Sequence, residues 1–196
     1  MKNPTLKLIG ILSLSAFLLS SCIGFDCVSG SGNQVTLNRN IGSFTKVETS
    51  GSVKIVLKQD STSYVRIVAD DNIQDRIQTT MHGNTLSIDM DGNFCDAGPI
   101  TIYLGSRDYE KIEASGSVEV LSEGKLNLND LELDLQGSCK VMLDLNAKTL
   151  RTSSSGASEI LLKGQAGMHD LDMTGSSSVE ALDFVVGEYR INSTGA

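Results

Sequence analysis

Glycines recur along this chain at a nearly constant interval: Gly116, Gly137, Gly156, Gly175 and Gly195 stand 21, 19, 19 and 20 residues apart. Aligned on them, the sequence reads EASGSVEV, DLQGSCKV, SSSGASEI, DMTGSSSV and NSTGA, and an earlier copy, ETSGSVKI, surrounds Gly51. Four residues after the glycine stand Ile55, Val120, Val141, Ile160 and Val179. Four before it stand Val47, Ile112, Leu133, Thr152, Leu171 and Ile191, and three after it Lys54, Glu119, Lys140, Glu159 and Ser178. Inward apolar and outward polar residues flanking a corner account for all three columns, because side chains of a strand alternate between its two faces. The glycine supplies a permissive backbone and the neighbouring serines hydrogen-bond the turn.

A period near 20 is too short for a pair of helices and fits a solenoid rung, in which short strands separated by corners stack as parallel neighbours about 4.8 Å apart. Alternating leucines at 126, 128, 131, 133 and 135, then 143 and 145, fill the interior. The expected fold is therefore all-β, a parallel β-helix with rungs of about 20 residues. Residues 41–107 are less regular and read as longer strands, VKIVL, YVRIV, TLSIDM and ITIYL, with turn chemistry at His82-Gly83-Asn84 and Asp91-Gly92-Asn93. The 65 residues between Gly51 and Gly116 amount to about three rungs, so residues 41–196 read as one domain.

The first 21 residues read as a signal peptide. Lys2 and Lys7 make a basic start, and Leu8 to Leu19 is an apolar run too short to span a bilayer. Leu19-Ser20-Ser21-Cys22 resembles a bacterial lipobox, which implies export, acylation of Cys22 and anchoring by several lipid chains, with residues 22–40 as a Gly/Ser-rich tether. Without the leader the chain carries 14 basic and 24 acidic residues, a net charge of −10. That balance disfavours nucleic acid as a partner. With Cys22 lipidated, Cys27, Cys95 and Cys139 are an odd set for an oxidising compartment. A Cys27–Cys95 disulfide is one arrangement, though spacing does not select it, and Cys139 takes the place of Val53 and Val118 as a small core residue.

The pairing of FTKVETSGSV at Phe44 with YEKIEASGSV at Tyr109, the Gly-Ser rungs and Val68-Ala69-Asp70-Asp71-Asn72 after a strand resemble the head GIN domain of auto-transporter adhesins over Ile41 to Ala196. The resemblance implies an exported β-solenoid, commonly a lipoprotein of Bacteroides-like bacteria, with adhesion as its proposed role and no catalytic residues. The protein is then expected on the outer membrane, facing the periplasm or the surface. Against the family's pattern, the chain ends at Gly195-Ala196 inside a corner. Either it is truncated there or the strand from Glu188 to Asn192 has an open edge, to be covered by self-association or a partner.

Enzymatic sites are disfavoured. Ser117, Ser138 and Ser176 follow glycines but lack the Gly-x-Ser-x-Gly elbow, and His82, in a turn, and His169, in a linker between rungs, read as solvated. Gly30-Ser31-Gly32-Asn33 lacks the lysine and helix of a phosphate loop. Neither a zinc site nor any other cofactor is expected. Asp70, Asp71 and Asp75, or Asp89, Asp91 and Asp96, could supply calcium oxygens, but the calcium β-roll repeat is unmatched. A calcium-dependent β-helical polysaccharide lyase is the enzymatic alternative, yet Arg107, Lys111 and Arg151 are scattered without an acidic cleft. Asp60-Ser61-Thr62 resembles a short O-glycosylation sequon of such bacteria. The reading that remains is a lipid-anchored, non-enzymatic envelope protein binding a protein or glycan through polar columns such as Lys54, Glu119, Lys140 and Glu159. A structural envelope protein without an external ligand is the alternative.

Overall fold

The computed structural model describes residues 27–195, and the chain there is almost wholly strand. The expected signal peptide, lipobox and Cys22 lie outside the described residues. Twelve strands occur among the described residues: β1 (Cys27–Ser29), β2 (Gln34–Arg39), β3 (Lys46–Gln59), β4 (Tyr64–Asp70), β5 (Ile77–His82), β6 (Thr85–Met90), β7 (Asn93–Asp96), β8 (Thr101–Ser106), β9 (Lys111–Gly137), β10 (Lys140–Gly156), β11 (Glu159–Gly175) and β12 (Ser178–Gly195). One short helix, α1 (Asp71–Gln74), follows β4. No described helix is long and apolar enough to cross a membrane.

The main sheet runs β12-β11-β10-β9-β3-β8-β4-β2 and does not close, so β12 and β2 are its ends; the β5–β6 hairpin joins it through β6 and β3. From β3 to β12 neighbours are parallel and the repeat columns meet in register: Gly51 faces Gly116, Gly137 faces Gly156, Gly156 faces Gly175 and Gly175 faces Gly195. Strand β9 stacks on itself: the Glu132 amide of its later part donates to the Glu110 carbonyl just before its start, and the Ser138 amide just after its end donates to the Gly116 carbonyl. Below β3 the parallel rule fails. Strands β2 and β4, β4 and β8, and β5 and β6 are antiparallel. The architecture is thus all-β with a mixed sheet, not one parallel stack from Ile41 onward. Two-residue turns such as His82-Gly83-Asn84-Thr85 reverse the chain locally, which parallel neighbours cannot do.

The alternating apolar residues form one core, including Val47, Ile55, Ile112, Val120, Leu126, Leu133, Val141, Leu145 and Ile160. Phe44 and Tyr109, equivalent in the sequence repeat, meet edge to face at 6.3 Å. The Tyr109 hydroxyl donates to the Leu104 carbonyl at 2.8 Å, and burial pushes its pKa up. Such a buried ring needs a partner for its polar tip.

The Gly/Ser-rich segment expected as a tether is ordered from Cys27 onward. Val68-Ala69-Asp70-Asp71-Asn72 holds it: the Gly32 amide donates to Asp70 Oδ2 at 3.0 Å, the Ser31 hydroxyl to Asp71 Oδ1 at 2.6 Å and the Ser31 amide to Asn72 Oδ1 at 2.9 Å. The Ser31 hydroxyl, together with the Asn33 side-chain amide that donates to Asp71 Oδ2 at 2.9 Å, holds the Asp71 carboxyl below its ordinary pKa. Cys27 and Cys95 form a disulfide that joins β1 to β7, while Cys139 is buried as a free thiol. Reducing the bond, or making Cys27→Ser with Cys95→Ser, is expected to remove about 2–4 kcal/mol of stability, since a long loop is released in the unfolded chain. Urea midpoints with and without reductant measure this, and equal midpoints would contradict it.

Candidate functional site

Parallel stacking places equivalent outward residues of successive strands in columns, and three of these columns alternate in charge. In the first, Lys54 faces Glu119, Glu119 faces Lys140, Lys140 faces Glu159, and Glu159 faces Ser178. Lys54 Nζ lies 3.3 Å from Glu119 Oε2, and Lys140 Nζ lies 2.9 Å from Glu159 Oε2. The Glu159 hydrogen bond and charge raise the Lys140 pKa. The second column runs Lys125, Asp144, Lys163, Asp183, with Lys125 3.3 Å from Asp144. The third runs Glu132, Arg151, Asp170, Arg190. Lys111 reaches Glu132 at 3.2 Å, and that contact raises the Lys111 pKa.

Exposed pairs of this kind contribute little to stability, about 0–1 kcal/mol each. Their effect is on the field and on register. Alternating charges cancel within a Debye length, so none of these columns would steer a polyanion by itself. Each presents a donor and then an acceptor at every strand spacing of about 4.8 Å. The four residues expected to share a face, Lys54, Glu119, Lys140 and Glu159, do stand in one column.

The corner glycines Gly51, Gly116, Gly137, Gly156, Gly175 and Gly195 all have positive φ. Ser52 and Ser117 are exposed and face one another beside them. A cleft of about 360 Å³ opens at this end of the first column, lined by Ser52, Lys54, Pro99, Thr101, Ser117 and Glu119. A larger one, about 580 Å³, lies between the loops before β3, after β3 and before β9, with Ser43, Ser61, Ser63, Ser106 and Arg107 on its walls. Sequence reading did not find this second cleft. Its hydroxyls are far apart in the chain, and Arg107, which donates from Nε to the Ser61 carbonyl at 2.6 Å, had no visible partner.

His82 is exposed at the β5–β6 turn, but His169 is not the solvated linker residue expected. It lies within β11, fully buried. Its Nε2 is 3.1 Å from Thr152 Oγ1, and its ring stacks on Tyr189 at 4.9 Å. Nδ1 has no partner, and burial lowers the pKa to about 4. The signal was Thr152 in an otherwise apolar column, a polar group that needs a buried mate.

Of the acidic clusters, Asp70 and Asp71 are engaged by the 31–33 segment, and among the described residues no three His, Cys, Asp or Glu side chains converge as a metal site. Arg107 and Arg151 are exposed and Lys111 is ion-paired. Asp60 accepts from the Thr62 amide and hydroxyl, each at 3.2 Å, closing a tight exposed turn.

A family model described as "Putative auto-transporter adhesin, head GIN domain" matches residues 43–196. No curated protein matches the chain. Among solved structures, a putative adhesin from Bacteroides fragilis superposes with a TM-score of 0.79 at 21% identity, covering 86% of this chain and 80% of its own. A putative lipid binding protein from Parabacteroides distasonis gives 0.65 at 17%, covering 84% and 80%. A putative adhesin from Parabacteroides merdae gives 0.59 at 20%, covering 84% and 79%. At these identities the superpositions establish a shared fold.

Proposed function

Because this chain belongs to the head GIN domain family of putative auto-transporter adhesins, we propose that it is a non-enzymatic protein of the bacterial cell envelope. It is anchored through lipid on Cys22 after removal of residues 1–21 and binds a glycan or protein through its outward columns. The anchor holds it at the outer membrane, and residues 41–196 act as one domain whose solenoid-like rungs of about 20 residues are the parallel strands β9 to β12, stacked on β3. The observation that carries the binding reading is the column Lys54, Glu119, Lys140, Glu159 with the hydroxyl-lined cleft at its end. Regularly spaced donors and acceptors of cancelling charge suit a polar polymer making many weak contacts, whose strength comes from their number. The paucity of aromatics, 5% of residues with no Trp, argues for hydrogen-bonded over stacked sugar recognition.

A glycan array probed with the chain, followed by Glu119→Lys and Lys140→Glu, tests this. Either variant is expected to lower binding about tenfold, the scale of one or two charge-assisted contacts repeated along a ligand. Binding that survives both would move the site elsewhere, to the Arg107 cleft first. The internal pairing of the column favours one other reading, a structural envelope protein whose columns serve only register. No array binding, with unchanged stability in the two variants, would favour that reading. Turnover of uronate polymers abolished by chelation would instead favour the lyase. Protease shaving of intact cells distinguishes surface from periplasmic exposure.

A further inference from the structure

The cleft of about 580 Å³ between the loops before β3, after β3 and before β9 holds a cation whose direction is fixed. Arg107 is gripped from two sides by residues at the end of β3. Its carbonyl accepts from Gln59 Nε2 at 3.0 Å, and its own Nε donates to the Ser61 carbonyl at 2.6 Å. Gln59 is held in turn, its Oε1 accepting from the Asn127 amide at 2.8 Å. With Nε engaged, the N–H donors of the two terminal guanidinium nitrogens remain, and among the described residues they have no protein partner. Arg107 joins none of the ion pairs among the described residues. The acids nearest to this loop have other partners. Asp60 accepts from the Thr62 amide and hydroxyl, and Asp108 Oδ1 accepts from the Tyr109 amide at 3.0 Å. The Ser43 and Ser63 hydroxyls on the cleft wall are likewise without an internal partner among the described residues, and Ile41 adds a half-buried apolar surface.

We propose that this cleft binds one carboxylate-bearing sugar unit, of the uronic acid type, carried by an otherwise neutral glycan. The assignment rests on the reading of this chain as a glycan binder and adds a site apart from the Lys54 column. The planar fork of Arg107 takes the carboxylate through two parallel N–H···O bonds, a match that a lysine does not reproduce. Ser43 and Ser63, each able to donate and to accept, meet the ring hydroxyls, while Ile41 meets a C–H face of the ring. The volume is that of a small-ligand site. The adjoining cleft, about 350 Å³, decides between one acid and many. Asp108 lines both, and beyond it Glu110, Asp130 and Glu132 outnumber Lys46 and Lys111. Lys111 is already paired with Glu113 and Glu132. A carboxylate on the next sugar unit would meet like charge there, whereas a neutral unit would not, so repulsion sets the preference for a single acid.

Saturation-transfer NMR titration of the full chain in detergent micelles tests the site, with methyl glucuronoside, methyl glucoside and acetate as probes. The glucuronoside is expected to bind about tenfold more tightly than either of the others, because the glucoside lacks the carboxylate and acetate lacks the ring hydroxyls. Arg107→Gln should lower glucuronoside binding about tenfold, to the level of the glucoside, and Arg107→Lys should stay at least about threefold below the original. Ser43→Ala with Ser63→Ala leaves both grips on Arg107 in place. That pair should weaken the glucuronoside about threefold or more and leave acetate unchanged, a pattern that loss of folding would not give. A tri-uronate should bind no more tightly than the single unit. Equal binding of glucuronoside and glucoside, equal binding of glucuronoside and acetate, an undiminished Arg107→Gln variant or a tighter tri-uronate would each overturn the assignment. Glu119→Lys and Lys140→Glu leave this cleft intact. Failure here with array binding lost in those two variants would therefore strike this site and not the adhesin reading.

Discussion

Gly116→Ala is expected to lower stability by about 3 kcal/mol or more, because two penalties coincide at this corner. Gly116 has φ +96°, which L side chains rarely adopt, and a Cβ there would stand 2.7 Å from the Gly51 carbonyl oxygen. The clash is with backbone of the neighbouring strand, so relief requires prising the stacked strands apart where their ladder is formed. Gly137 repeats the arrangement, 2.7 Å from the Gly116 carbonyl. Gly124 is the control: its φ is +82° with nothing within 4 Å, so Gly124→Ala carries only the conformational cost, about 1 kcal/mol. For a domain of this size the difference amounts to several degrees in Tm. Thermal melts of the two variants measure it. Equal losses would mean that close backbone approach is not what holds glycine in the column.

Lowering the pH from 7 to 4 is expected to withdraw up to about 3 kcal/mol through His169 alone. Its folded pKa is about 4 against an ordinary value of 6.5. The folded state keeps the ring neutral while the unfolded chain takes up a proton below 6.5. This contribution is therefore fully present above pH 6.5, declines as pH falls, and levels off near pH 4. Burial is the cause, opposed by the nearby Asp170 carboxylate. The column occupied by His169 holds Leu131 and Leu150 below it, and that of Thr152 holds Leu133 and Leu171 on either side. Thr152→Val with His169→Leu thus removes a buried polar pair in favour of its columns' usual residues. The double variant should match or exceed the original at pH 7 and lose less between pH 7 and 4.5, as read from urea midpoints. An identical pH slope in both proteins would contradict the assignment.

Legibility in the sequence followed locality. The glycine columns, the alternating leucines and the inward place of Cys139 are periodic, and parallel in-register pairing converts a sequence period directly into spatial neighbours. The same period anticipated that Lys54, Glu119, Lys140 and Glu159 would share a column. His169 was misjudged because the strand parity changes between Ala166 and His169: both face inward although they stand an odd three positions apart. A count by twos across that corner places the histidine outside.

The antiparallel strands below β3 escaped the repeat for a different reason. Residues 27–107 are joined by turns and by the Cys27–Cys95 bond, and no period links Asp70 to Gly32 or Arg107 to Ser61. By itself the sequence determined an all-β chain, its corner residues, its core face and its family, since each depends on intervals along one strand path. Only the tertiary structure decided where the sheet turns antiparallel, that the Gly/Ser-rich segment is pinned and which clefts open between loops. Those depend on contacts between segments whose separation in the chain follows no rule, and a sequence period carries no information about them.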